Sequence, residues 1–427
     1  MYGYDYAIVG TTSAMPSFQR DFGETLPDGK WILPSLWLGL WTFASPGTSI
    51  IGAVAGGWFQ DWAGRRASLA VGSFLCAVGV AISFVSGLPS DINNRRGVFL
   101  AGKGVQGGAI GMVLTTTQTY ISEIVPPNLR GPMLAFFPIF TLLGQLIGAG
   151  VIYACLNLPN GYTICFATQW AFSGVPFILS YAVPESPTYL VRKGLLEKAR
   201  SAQRRLDGRD IPTEETIGAI QRNIEWESNS ARSTYIACFN SANRRRTLIV
   251  MFASSLPQVF GLTLLSKASY FAQVIGMEST LSVLVLILGI VCGLFANICS
   301  FSVWPASYAV GAETSALHLR AKTQGIAWLT AGVSTSLFGL ILPYIFNPDQ
   351  GNLKEKTAFV LAGLCAISFA VSFWYIPEMK GRTPSEIDRM FDQKLPAWQF
   401  STWRGDGVAI TKPTSVTGRQ GRQHTSV

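Results

Sequence analysis

Charge is scarce in this chain. Of its 427 residues only 13% are Asp, Glu, Lys or Arg, while 49% are hydrophobic. An ordinary soluble domain carries about a quarter of its residues as charges. A body of this size cannot cover a water-exposed surface with half that share, which excludes a soluble globular protein. Histidine is nearly absent, with only His318 and His424, in an expected loop and in the tail. The seven cysteines (76, 155, 165, 238, 292, 299 and 365) fall mostly inside apolar runs and follow no regular spacing. They read as small packing residues, neither a disulfide framework nor a metal site. No nucleophile–base pair or phosphate loop stands out, so no enzyme, cofactor or metal is expected. Short-period alternation of apolar and polar residues is missing too, which argues against a barrel. No cleavable signal peptide precedes the first apolar run.

Long apolar runs are what the sequence has instead. Spans are expected near 1–15, 31–58, 67–87, 98–125, 132–157, 162–183, 247–275, 280–312, 323–346 and 357–376. Most reach the ~20 residues that cross a bilayer as helix. Their Gly content suits close helix packing in lipid. The fold class is therefore all-α, a polytopic membrane protein of about ten spans and two helical bundles. The divisions expected are an N-terminal bundle at 1–183, a cytoplasmic loop with short helices at 184–246, an incomplete C-terminal bundle at 247–376, and a mostly disordered tail at 377–427.

The net charge of +9 is placed for a membrane, not for nucleic acid. Segment 192–246 holds twelve Lys or Arg against seven Asp or Glu, and more basic residues lie at Arg65, Arg66, Arg130, Arg320, Lys322, Lys380 and Arg382. Loops 18–30, 158–168, 276–280 and 347–356 are neutral or mildly acidic. That alternation is the positive-inside pattern, so the basic loops and the C-terminus are expected in the cytoplasm and the plasma membrane is the expected site. Arg95 and Arg96, in a loop assigned to the outside, are the exception.

The same punctuation occurs twice. Glu123 stands seven residues before Arg130, and Glu313 seven before Arg320. Pro184-Glu185-Ser186-Pro187 and Pro377-Glu378-Met379-Lys380-Gly381 follow at 62 and 65 residues, Glu to Glu. A duplicated frame in so apolar a chain is how a transporter made of two repeats reads. A further stretch, Gly56-Gly57-Trp58-Phe59-Gln60-Asp61-Trp62-Ala63-Gly64-Arg65-Arg66, places a tight turn between an acid and two cations. Taken alone, the Arg pair would be a basic turn that sets topology.

With its full spacing, that stretch resembles the loop between helices two and three of the major facilitator superfamily. Tyr120-Ile121-Ser122-Glu123 through Arg130-Gly131, the two Pro-Glu clusters, Gly3-Tyr4-Asp5-Tyr6, and Ala312-Glu313-Thr314 with Arg320-Ala321-Lys322 are similar to the sugar-porter branch. Fungal hexose and α-glucoside proton symporters are the nearest kind. The resemblance covers about residues 1–392. It implies two six-helix bundles around a central sugar site that opens to each side in turn, with a sugar, protons and the lipid bilayer as partners.

The resemblance also assigns residues. Asp61 with Arg65, Glu123 with Arg130, and Glu313 with Arg320, together with Arg66, Glu185 and Glu378, would form a cytoplasmic charge network that latches the gate. The bland reading is that these charges only anchor helix ends at the headgroups. Asp5 is an acid in an apolar run, where ionisation costs roughly 2.5–3.5 kcal/mol. Its partner in the family falls at Lys103, where Arg is usual, and the pair would carry the coupled proton. The alternative is that Asp5 is simply solvated at the interface. Sugar contacts would come from Gln145, Gln258, Thr263 and Tyr308. Pro257 replaces the first of the family's paired Gln, and Thr263 its usual Asn. As alternatives, an intramembrane Gln bonds a neighbouring helix and Tyr308 is core.

One departure is large. The interval from Asp5 to Glu123 is 118 residues, whereas that from Gln258 to Glu313 is 55. No second copy of the Gly-Gly-to-Arg-Arg motif occurs. Asn297-Ile298-Cys299-Ser300-Phe301-Ser302 runs into Val303-Trp304-Pro305, as if a helix eight were fused to late helix ten with helix nine omitted. The start of helix one is expected to be short as well. Three functions follow from these readings: proton-coupled sugar transport, a non-transporting sugar sensor, or an inactive shortened transporter.

Overall fold

The computed structural model describes all residues except 26–28, 30, 126, 207–212, 231–234, 242, 299–305, 308–309, 312–313, 316–318, 380–383, 394, 401–402 and 404–427. The side chains of some helical residues, Arg130 and Arg320 among them, are also outside the description. Tyr308 and Glu313 therefore fall outside the described residues altogether.

Helices build the described chain. The first half comprises α1 (Tyr2–Thr12), α2 (Pro16–Phe22), α3 (Ser35–Ala63), α4 (Arg65–Phe84), α5 (Ile92–Ile124), α6 (Pro127–Cys155) and α7 (Gly161–Ala182). Short α8 (Pro187–Arg192), α9 (Leu196–Leu206) and α10 (Thr213–Ser230) follow. The second half comprises α11 (Arg244–Val259), α12 (Leu262–Ser266), α13 (Ala268–Ile275), α14 (Ser279–Ile298), α15 (Arg320–Phe346), α16 (Thr357–Tyr375) and α17 (Pro384–Asp392). Among the described residues, the one strand pairing joins Glu24–Thr25 to Trp31–Ile32, antiparallel.

Nine helical stretches among the described residues are long and apolar enough to cross a membrane. The tenth expected span, 1–15, is the 11-residue α1. At 1.5 Å per residue it rises only about 16 Å, roughly half a hydrocarbon core. Expected span 247–275 is broken into α11, α12 and α13. Pro257 sits in the last turn of α11, and Gly261 follows with φ 90°, a left-handed conformation that stops a helix. Expected span 280–312 is helical as α14 to Ile298, and the proposed joint at Ser302–Val303 lies outside the described residues.

Small residues set the helix spacing. A Cβ on Gly52 of α3 would lie 1.9 Å from the Gly108 carbonyl oxygen of α5, and one on Gly111 would lie 2.0 Å from that of Ser49. Only glycine permits backbones to touch this way, as in other membrane helix pairs. At one end of the bundle, Phe18, Phe22, Trp41, Phe99, Tyr162 and Phe166 form an aromatic core joining α2, α3, α5 and α7. Trp41 meets Phe99 edge-on at 5.3 Å and 82°, the favoured arrangement for such rings.

At that same end the two halves are tied together. The Ser35 amide donates to Asp349 Oδ2 at 2.8 Å, placing an acid at the N-terminus of α3. Asn347 donates to the Leu33 carbonyl at 3.1 Å, and Gln273 to that of Ala14 at 2.8 Å. Arg96 is no topology marker, because α5 starts at Ile92 and takes Arg95 and Arg96 into the helix. Arg96 is buried, donating to the Phe22 carbonyl at 2.8 Å and pairing with Glu24 at 3.0 Å.

Part of the segment after α16, which was expected to be mostly disordered, is helical as α17. Ile387, Met390 and Phe391 of α17 bury against Ile249 and Met379, and Arg246 of α11 pairs with Asp388 and, at 3.5 Å, with Asp392. An amphipathic turn with an apolar surface to cover has reason to order. Residues 404–427 lie outside the described residues.

Candidate functional site

Helix α1 carries Asp5 into the centre of the first half, where it is 4% exposed. Lys103 reaches it from α5, fully buried, with Nζ 2.9 Å from Asp5 Oδ1. The other carboxylate oxygen accepts from Ser45 Oγ of α3 at 3.3 Å. Lys103 also donates to Gln106 Oε1 at 2.9 Å, and Gln106 Nε2 donates to Gln169 Oε1 of α7 at 2.9 Å. The chain of polar groups thus runs through four helices, and Gln169 Nε2 ends it without an acceptor among the described residues. Two opposite charges at this separation in a low-dielectric interior hold each other strongly. Removing either charge leaves the other buried and exposed to the full desolvation cost.

Beside this pair lies a cavity of about 20 Å³, bounded by Asp5 and Tyr6 of α1, Trp41 and Ser45 of α3, and Ser266 and Lys267 of the second half. It has room for about one water molecule and none for a sugar ring. The site is closed around its polar groups.

The expected sugar contacts are placed unevenly. Gln145 is buried on α6, 4% exposed. Gln258 and Thr263 come together across the α11–α12 break, Thr263 Oγ1 donating to Gln258 Oε1 at 2.6 Å. The cavity walls include none of these three. Tyr308 lies outside the described residues.

The charge network adds a partner that the sequence reading did not name. Glu123, at the end of α5, is bound by Arg65, whose Nε and Nη2 donate at 3.1 and 2.8 Å in a two-pronged pair. The expected partner of Glu123, Arg130, has no described side chain. Arg65 wins because α4 packs along α5 and brings its first residue to Glu123. It is 2% exposed and also meets Asp61 at 3.2 Å, as expected, although Asp61 is largely solvated. Glu185 accepts from the backbone amides of Arg65 and Arg66 at 2.9 and 3.2 Å, an acid on the N-terminus of α4. Gly64 makes room for it: its φ is 100°, and a Cβ there would lie 2.5 Å from Glu185 Oε2. Arg66 donates to the Ser180 carbonyl at 2.9 Å. All these residues belong to the first half, so their pairings brace that half internally and do not join it to the second. Glu378 is exposed, and Glu313 and the Arg320 side chain lie outside the described residues.

Comparison with known proteins decides the family. The family model described as "Sugar (and other) transporter" matches residues 1–304 and 268–391. The chain belongs to that family. It is 29% identical to the MFS transporter fmqE of Aspergillus fumigatus over 461 positions, covering 94% of this chain and 85% of that one. A general alpha-glucoside permease of Saccharomyces cerevisiae is 26% identical, covering 100% and 79%. Among solved structures, XylE, a proton:xylose symporter of the major facilitator superfamily, superposes with TM-score 0.69 over 91% of this chain and 96% of XylE at 17% identity. Its inward open conformation from E. coli superposes equally well. The fold is therefore the all-α, multi-pass fold of that superfamily. The permease alignment runs 495 positions over the 427 residues of this chain, so about 68 positions of the relative face gaps here.

Three polar residues of the site escape a reading by motif: Gln106, Gln169 and Lys267. Gln106 is three residues after Lys103 and so on the same helix face. Lys267 stands as the lone charge within 247–275, which is signal enough for an intramembrane functional group.

Proposed function

We propose that this protein carries a sugar across a membrane by alternating access, driven by protons taken up at Asp5. The observation that supports this is the buried Asp5–Lys103 pair at 2.9 Å, whose acid stands on the wall of the cavity between the halves. Protonating Asp5 cancels its charge and leaves Lys103 with Gln106 alone. Breaking one side of such a pair costs about 3–5 kcal/mol, which shifts a two-state equilibrium by about a hundredfold or more. Proton and sugar are linked because both act on the same cavity. The α-glucoside permease among its relatives and the proton:xylose symporter that shares its fold support sugar and proton respectively.

The basic segments face the cytoplasm, the plasma membrane is the site of action, and the C-terminus is inside. In that orientation the Ser35–Asp349 end faces outward. Gln145, Gln258, Thr263 and Tyr308 contact the sugar after the halves part.

A second reading, a shortened transporter that no longer transports, is favoured by the gap of about 68 positions. Uptake of labelled glucose and maltose into cells without their own transporters, at acid and neutral pH, separates the two. Wild-type protein takes up sugar faster at acid pH, and Asp5→Asn abolishes that stimulation. Equal stimulation in Asp5→Asn removes Asp5 from coupling. No uptake by protein verified in the membrane selects the second reading.

A further inference from the structure

Lys267 is 1% exposed, lies between α12 and α13, and forms part of the cavity wall opposite Asp5. Its one hydrogen bond among the described residues is to the Leu38 carbonyl, at 3.4 Å. That carbonyl already accepts from Thr42 Oγ1 at 2.7 Å. No described carboxylate pairs with Lys267: Asp5, the acid on the cavity wall, spends one oxygen on Lys103 and the other on Ser45. Tyr6, also on the wall, brings its hydroxyl to the same cavity. A buried ammonium with most of its donors unused is costly unless an anion meets it. The cavity wall thus holds a lysine with no described carboxylate beside it, together with Trp41 and the hydroxyl-bearing Tyr6 and Ser266.

Resting on the transport reading above, we propose that Lys267 anchors a carboxylate, and that the substrate is a monocarboxylated polyol of the sugar-acid class. A single ammonium matches a single negative charge. Phosphorylated sugars carry close to two charges and call for a forked or multiple-cation site, and Asp5 nearby repels the excess. The hydroxylated ring stacks its C–H face on an aromatic side chain, with hydroxyls left for the wall.

The test measures binding of D-glucuronate, D-glucuronamide and D-glucose to the purified full-length protein in detergent, followed by calorimetry. D-glucuronamide has the same shape without the charge. The expected result is that glucuronate binds at least tenfold tighter than glucuronamide. Lys267→Gln abolishes that preference and Lys267→Arg keeps it, each variant first checked for a single gel-filtration peak. Equal binding of glucuronate and glucuronamide overturns the inference, as does a preference that survives Lys267→Gln. Glucose bound without charge preference leaves the sugar-transport reading standing alone. Charge-dependent binding without uptake in cells leaves Lys267 standing and removes transport. No binding of any of the three overturns the inference and leaves the transport reading to the uptake assay.

Discussion

Two lysines are buried in the membrane-spanning part of this protein, and they are provided for in opposite ways. Lys103, in the first half, has a carboxylate at 2.9 Å and an amide relay behind it. Lys267, in the second half, has one long bond to a backbone carbonyl. The first lysine is part of the fold, because its charge and that of Asp5 are stable only together. The second has no carboxylate to orphan among the described residues, so its removal strands no charge there. A costly group without such a partner points to a ligand.

The comparison is broken or sharpened most by substituting each lysine. Lys103→Met strands the Asp5 charge, and the expected loss is about 3–5 kcal/mol. It should be read from the unfolding midpoint in detergent, and the double variant Asp5→Asn/Lys103→Met should recover most of it. Lys267→Met should leave the midpoint unchanged or raise it, because a methionine of similar length fills the space without a charge. Equal losses at the two sites would erase the distinction.

The same contrast exists within the charge network. Arg65→Met leaves Glu123 without its two-pronged partner at a buried helix junction, with an expected loss of about 3 kcal/mol. Asp61→Asn removes an exposed partner of the same arginine and should cost less than about 0.5 kcal/mol. Chemical denaturation of the two variants side by side checks the ratio. A large effect at Asp61 would mean that exposure misjudges that pair.

Legibility in the sequence followed the range of the interaction. The helical, membrane-spanning fold was plain from scarce charge and long apolar runs. Asp5 and Lys103 were readable through the family resemblance, and each is conspicuous as a charge in an apolar stretch. The pairing of Glu123 with Arg65 was not legible because Arg65 is distant in sequence and near only through the packing of α4 on α5, while the expected pairing with Arg130 falls on a side chain outside the described residues. Arg96 counted against the topology as a loop charge, although α5 begins four residues before it and buries it on Phe22 and Glu24. The break of 247–275 is marked by Pro257 and Gly261, but the length and prevailing apolar character of the run read as one span. Lys267 was hidden by its neighbours: apolar and small residues around a lone lysine carry no motif, only a cost.

The central claim is that the Asp5–Lys103 pair takes up the proton that travels with the sugar. It is tested most directly in liposomes containing the purified protein and a trapped pH-sensitive dye. A sugar gradient imposed without any pH gradient should move protons with the sugar in the wild type and not in Asp5→Asn. Sugar entry without proton movement in the wild type, or undiminished proton movement in Asp5→Asn, would contradict it.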